Sequence, residues 1–160
     1  MEFSTFRTPI DQRYFEDYEP GAVFEFGPIE MEEEELLAFA RRFDPQSIHI
    51  DPDAAASGPF GGLIASGWHT VGLLMRLYVE NYLTAVASLA SPGLDELRWT
   101  RPVRPGDQLR LRVTVLEKRR SRTKPDRGLV RSRMEGFNQN DELVVSMDAM
   151  NMIAVRGPED

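Results

Sequence analysis

The segment that most constrains this chain begins at Ala54, after which no charged side chain appears until Arg76. A bilayer-spanning helix wants about 20 predominantly apolar residues in an unbroken run. Here Gly58, Pro59, Gly61, Gly62, Ser66, Gly67 and His69 interrupt the stretch, so it reads as a turn-rich loop feeding a helix, and no membrane span is expected. From Leu63 to about Val86, the residues Leu63, Trp68, Val71, Leu74, Leu77, Tyr78 and Leu83 cover nearly every face of that helix. A helix apolar all round has to be buried on most sides. The simplest packing that does this is a sheet wrapped around it.

The flanking sequence supplies the rest of an α+β domain. Ala22 to Phe26 alternates as a short strand closed by Gly27-Pro28. Glu32 to Phe43 carries Leu36, Leu37, Phe39, Ala40 and Phe43 at helical spacing. Its glutamates Glu32 to Glu35 open the helix and Arg41-Arg42 close it, which suits the helix dipole, and Asp44-Pro45 stops it. Ser91-Pro92-Gly93 is expected to end the helical half. A meander follows: Leu94 to Thr100, then Leu109, Leu111, Val113 and Val115 alternating with polar residues, then Leu129 to Phe137 and Leu143 to Val155. No repeat or linker interrupts the chain, so residues 1–160 are expected to form a single domain with its core at about 14–155.

Composition excludes several functions. The net charge of −7 argues against non-specific nucleic-acid binding, which needs a positive field. The absence of cysteine removes disulfides, thiolate metal sites and cysteine nucleophiles, and only His49 and His69 are available as imidazole ligands. No metal site and no cofactor are expected. The chain opens without a basic segment leading into an apolar one, so a cytoplasmic protein is expected.

Two segments could carry chemistry. In Asp44-Pro45-Gln46-Ser47-Ile48-His49, a carboxylate and an imidazole stand five positions apart in an irregular loop beside the central helix. They could bracket one water, the carboxylate as base and the imidazole as proton donor. Spacing alone leaves a second reading, in which Asp44 and Asp51 cap turns before prolines and His49 is a satisfied polar group. In Gly61-Gly62-Leu63-Ile64-Ala65-Ser66-Gly67-Trp68, glycines at a helix entry let a ligand approach free N–H groups. Close packing on the sheet would use the same small residues. His69, about 200° around the helix from Gly67, is expected to pack rather than react. Arg76 and Glu80 are expected to pair at i,i+4. Arg119, Arg120, Arg122 and Lys124 read as a solvated hairpin tip, with phosphate binding as the alternative.

Three ordered motifs resemble one family. Phe43-Asp44-Pro45-Gln46-x-Ile48-His49-x-Asp51, then Phe60-Gly61-Gly62-Leu63-Ile64-Ala65-Ser66-Gly67-Trp68-His69-Thr70, then Arg98-Trp99-x-Arg101-Pro102-Val103-Arg104-Pro105-Gly106-Asp107 resemble the MaoC-like dehydratases and (R)-specific enoyl-CoA hydratases. The resemblance implies a hot-dog fold, an antiparallel sheet around a long central helix, assembled as a homodimer or dimer of dimers. It implies a hydro-lyase that adds water to a 2-enoyl thioester on coenzyme A or an acyl carrier, in fatty acid metabolism. Asp44 and His49 then match the catalytic pair, Asp44 accepting a water proton while His49 orients the water and returns a proton. Ser66 matches an orienting position, and Gly67 the residue whose N–H polarises the thioester carbonyl. Phe60, Gly62, Trp68, Arg101 and Arg104 are the substrate-binding candidates. Two alternatives remain: a hot-dog thioesterase, for which the helix offers only Glu80 as carboxylate, and a non-catalytic acyl-thioester-binding subunit. The first twenty residues are expected either to close the site or to wrap a dimer.

Overall fold

Alternation of apolar and polar residues produces one five-stranded antiparallel sheet, seen in a computed structural model that describes residues 1–157. The last three residues of the expected domain lie outside the described residues. In chain order the strands are β1 (Val23–Glu30), β2 (Ser88–Trp99), β3 (Gln108–Arg120), β4 (Arg127–Phe137) and β5 (Leu143–Ala154), arranged β1-β3-β4-β5-β2 across the sheet. On β3 the alternation reads directly as burial: Leu109, Leu111, Val113 and Val115 face inward, fully buried. Arg110 and Arg112 point the other way and both reach Glu25 on neighbouring β1. β1 is longer than the alternation predicts, because a register shift between Phe26 and Ile29 absorbs Gly27-Pro28 and the strand continues to Glu30.

The helices are α1 (Glu33–Phe43), two short turns α2 (Ser47–Ile50) and α3 (Pro52–Ala56), and α4 (Gly67–Asn81). The loop expected between Asp44 and Gly62 is therefore partly helical. Asp51 does what its position before Pro52 suggests: its Oδ1 accepts the Ala54 N–H at 3.1 Å and caps α3.

The central helix is shorter than expected at both ends. Leu63 to Ser66 is not helical, because its backbone is claimed by neighbours: Ile64 N–H donates to Ile48 O at 3.1 Å and Ala65 N–H to Val103 O at 2.8 Å. At the other end Asn81 closes the helix, and the chain enters β2 at Ser88. Ser91-Pro92-Gly93 thus lies inside a strand rather than ending the helical half. β2 is an edge strand with register shifts on both sides of this segment, the setting in which proline is tolerated.

α4 lies on the concave face of the sheet. Leu73, Leu74, Leu77 and Tyr78 enter the core beside Leu109, Leu111 and Val145. Buried hydroxyls are partnered: Tyr78 donates to Asn151 Oδ1 at 2.5 Å, and Tyr82 shares a 2.6 Å hydrogen bond with Ser132. Burial pushes the Tyr18 phenol up to about 12. The sheet does not cover α4 completely, however. Trp68, Met75 and Val79 are 59%, 43% and 47% exposed and form a stripe along it. Leu89, Leu94 and Trp99 are exposed on β2, whose outer edge has no strand partner among the described residues. The expectation of a helix buried within its own chain is corrected accordingly.

The first twenty residues pack away from Asp44, His49 and Gly67 of their own chain. Their two 3-10 turns (Ile10–Gln12 and Phe15–Asp17) pack at the far end of α4, where Arg13 donates to the carbonyls of Asn81 and Tyr82, each at 2.9 Å. At 1.5 Å per residue that end lies about 20 Å from the start of the helix. The basic β3–β4 hairpin is at the same distant end of the sheet, since Arg120 pairs with Gly128, and Ile153 pairs with both Gly128 and Ser88.

Candidate active site

Local chemistry places Asp44 and His49 against each other. Asp44 is the C-cap of α1, its N–H held by Ala40 O at 2.8 Å, and Pro45 turns the chain out of the helix. The chain then winds into α2, which carries His49 inward to 5% exposure. There Nδ1 lies 2.7 Å from Ile64 O. A carbonyl only accepts, so Nδ1 bears the proton and donates it. Nε2 is left as the ring's free nitrogen, and it lies 3.3 Å from Asp44 Oδ2. The expected role of His49 as a proton donor therefore runs through Nε2, which must take a proton before returning one.

Asp44 is held in turn by Gln46, whose amide donates to Oδ1 at 2.7 Å. This hydrogen bond keeps the carboxyl below the usual carboxylate range against the opposing effect of desolvation. Ser66 Oγ is fully buried and makes no hydrogen bond of its own.

Ser66 is also the N-cap of α4, but its side chain caps nothing. Gly67 at the first helical position thus keeps an N–H without an acceptor among the described residues. Glycine is required here by a close approach. The Trp99 indole lies over Gly67, and a Cβ at this position would overlap the ring. Trp99 in turn meets Trp68 edge-to-face at 5.2 Å.

These groups line one cavity of about 490 Å³, within the range of small-ligand pockets. Asp44, His49, Gly67, Phe60, Trp68 and Arg101 all contribute to its wall. Gly62, Ser66 and Arg104 do not. Arg104 is a strut instead, its guanidinium donating to the carbonyls of Phe60 at 2.5 Å and Gly62 at 3.3 Å, which pins the glycine loop. Arg101 is paired with Glu142 at 2.8 Å. Glu80, the carboxylate a thioesterase reading would need, is outside the wall and paired with Arg76, as the i,i+4 spacing predicts. Gln46 and Trp99 line the cavity without having been assigned a role from sequence, although both stand within the quoted motifs. Among the described residues no cluster of three metal-ligating side chains occurs, and no helix is long and apolar enough to cross a membrane.

The sequence profile of the MaoC-like domain matches residues 16–134, an interval that contains the cavity's catalytic candidates. The chain belongs to the MaoC-like dehydratase family. The MaoC-like dehydratase of Rhodospirillum rubrum has the same hot-dog fold, with a TM-score of 0.84 and 37% identity over 91% of this chain and 99% of that one. The R-hydratase PhaJ1 of Pseudomonas aeruginosa superposes with a TM-score of 0.70 at 29% identity, covering 89% of this chain and 86% of its own. The 3-hydroxyacyl-thioester dehydratase Z of Mycobacterium tuberculosis is 43% identical over 83 residues, 51% of this chain and 54% of that protein. The aligned stretch thus spans about half the length of that relative.

Proposed function

We propose that this chain is a hydro-lyase that reversibly adds water to a 2-enoyl thioester, giving the 3-hydroxyacyl thioester. The observation that carries the reading is the convergence of the Asp44–His49 pair and the free Gly67 N–H on one cavity. The activities for which the mycobacterial dehydratase and PhaJ1 are named support it. The acyl group would be carried on coenzyme A or an acyl carrier protein.

The geometry suggests how the reaction proceeds. The Asp44 carboxylate and the His49 Nε2 lone pair are both acceptors, and together they accept hydrogen bonds from one water, of whose two protons only one is later transferred. That leaves an oxygen lone pair free to attack the β-carbon. As the C–O bond forms, the Cα–Cβ π electrons move to the thioester oxygen as an enolate. The Gly67 N–H and the start of α4, on the wall of the same cavity, would supply the donor that such an oxyanion needs. The water's second proton passes to the Asp44–His49 pair and returns to the α-carbon, so water is added without a net charge change. An oxyanion donor of this kind contributes about 3–4 kcal/mol, and positioned acid–base groups about 10²–10⁴-fold.

The active form would be a homodimer. The stripe of Trp68, Met75 and Val79 and the unpaired edge of β2 are continuous with the cavity wall through Trp68 and Trp99. Monomers rarely leave so extended an apolar face uncovered.

The test is loss of the conjugated enoyl absorbance with 2-enoyl-CoA substrates of short, medium and branched chains. Wild-type turnover that collapses in Asp44→Asn and His49→Ala, with melting temperatures preserved, supports the proposal. A folded protein that turns over neither coenzyme A nor carrier-bound 2-enoyl substrates refutes it.

A further inference from the structure

Outside the cavity, the second histidine is placed unusually for a packing residue. His69 is 4% exposed, in the first turn of α4, two residues beyond Gly67. Its Nε2 lies 2.9 Å from Glu35 Oε1, and its ring stacks on Phe39 at 4.8 Å with 14° between the planes. Its Nδ1 is buried without any partner. A leucine or phenylalanine would fill this space without burying an unsatisfied nitrogen, which is costly. The imidazole must therefore be there for what Nε2 does.

What Nε2 does is join two helices. Glu35 and Phe39 stand at i and i+4 on α1, so both face the same side and grip one ring. Among the described residues, His69–Glu35 is the only side-chain hydrogen bond between α1 and α4. One turn beyond Phe39 comes Phe43, tilted against it at 5.1 Å, and then Asp44. Two residues before His69 comes Gly67. The two helices deliver the two halves of the cavity chemistry: α1 ends in the carboxylate, and α4 begins with the free N–H.

We infer that His69, held by Glu35 and Phe39, is a positioning residue that sets the separation between the water-activating pair and the Gly67 oxyanion donor. The inference rests on the hydratase reading of the site. It deepens that reading by assigning a role to a residue that touches neither water nor substrate. The effect belongs in kcat, because the separation matters when the β-carbon and the thioester oxygen are engaged at once. Ground-state binding of the acyl chain does not depend on it.

The experiment measures hydration kinetics of wild type, His69→Ala, Glu35→Ala, the double variant and Glu35→Gln, well below the lowest melting temperature. In the same proteins without substrate, the Gly67 amide is followed by NMR in Glu35→Ala and the His49 ring nitrogens in His69→Ala. Each probe thus sits on a different element from its substitution. Each single alanine variant should lose kcat roughly tenfold to a hundredfold, the scale of a small misplacement, with KM changed less than about twofold. The double variant should be no worse than His69→Ala, since both remove one interaction. Glu35→Gln, which keeps an acceptor for Nε2, should recover most of the loss. Unchanged kcat in Glu35→Ala, or losses that multiply in the double variant, overturns the inference. Should wild type hydrate no 2-enoyl thioester, the functional reading fails while the NMR arm still decides: a displaced Gly67 amide in Glu35→Ala upholds the coupling, and an unmoved one ends it.

Discussion

The oxyanion role of Gly67 can be separated from its steric role by a pair of double variants. Gly67→Ala alone drives a Cβ into the Trp99 indole. Overpacking of this kind costs about 1–3 kcal/mol, and it would distort the cavity wall at the same time. Removing the indole first, with Trp99→Ala, makes room. On that background Gly67→Ala keeps the N–H and Gly67→Pro deletes it. The backbone accepts proline here on two counts. Position 67 is the first residue of α4, where proline is favoured. Ser66, at φ −54° and ψ 133°, already has the extended conformation that a following proline demands. The two double variants should therefore melt within a few degrees of each other. Their hydration rates should not agree. Loss of one oxyanion donor costs roughly 2.7–4 kcal/mol, so kcat for Gly67→Pro/Trp99→Ala should lie about 10²–10³-fold below Gly67→Ala/Trp99→Ala in the enoyl-absorbance assay. A difference under about threefold, at equal melting temperature, would show that the thioester oxygen is held elsewhere.

Gln46→Ala removes the main hydrogen bond holding the Asp44 carboxyl low, so the acid limb of the kcat/KM profile should move to higher pH. The sign also governs stability: a depressed carboxyl stabilises the fold above its unfolded value and loses that contribution as pH falls through the folded value. Denaturant midpoints of wild type and Gln46→Ala should thus converge on acidification, and constant separation would count against the assignment. Val79→Asp places a charge in the exposed apolar stripe, so light scattering should give half the wild-type mass if a second copy covers it; an unchanged mass points to another interface. Leu74→Ala, at a fully buried position on the inner face of α4, should cost about 3–5 kcal/mol in urea unfolding. Arg104→Ala frees the carbonyls of Phe60 and Gly62, so it should raise KM more than it lowers kcat.

Where a single chain's own periodicity decides burial, the fold was legible. Leu109 through Val115 alternate, and each inward residue is fully buried in the sheet. Glu32 to Phe43 was legible because its charges, its spacing and Asp44-Pro45 agree on one helix. The apolar run Leu63-Ile64-Ala65 was not, since an uninterrupted run of that length fits a helix or an extended segment equally. Hydrogen bonds to Ile48, upstream, and to Val103, far downstream, decide it. Pro92-Gly93 misled for a similar reason: such a pair breaks a central strand but not an edge strand, and edge position is a property of the sheet.

The site divides along the same line. Asp44, His49 and Gly67 stand in motifs whose resemblance to a family names them, and the structure brings them to one cavity. Arg104 and Ser66 share those motifs yet do not line the cavity, because motif membership reports sequence order and not which side chains form its wall. Gln46, Trp99 and His69 act through partners far along the chain or through one rotamer. Of these the His69 ring could have been suspected from sequence, as a polar residue in the most apolar segment of the protein. A group that is costly to bury persists in a core only where its hydrogen bond does something a hydrocarbon cannot. Its partner, Glu35, comes from the acidic run that looks like simple dipole compensation. Three of those four glutamates can serve the dipole and leave the fourth to tie α1 to the helix that carries Gly67.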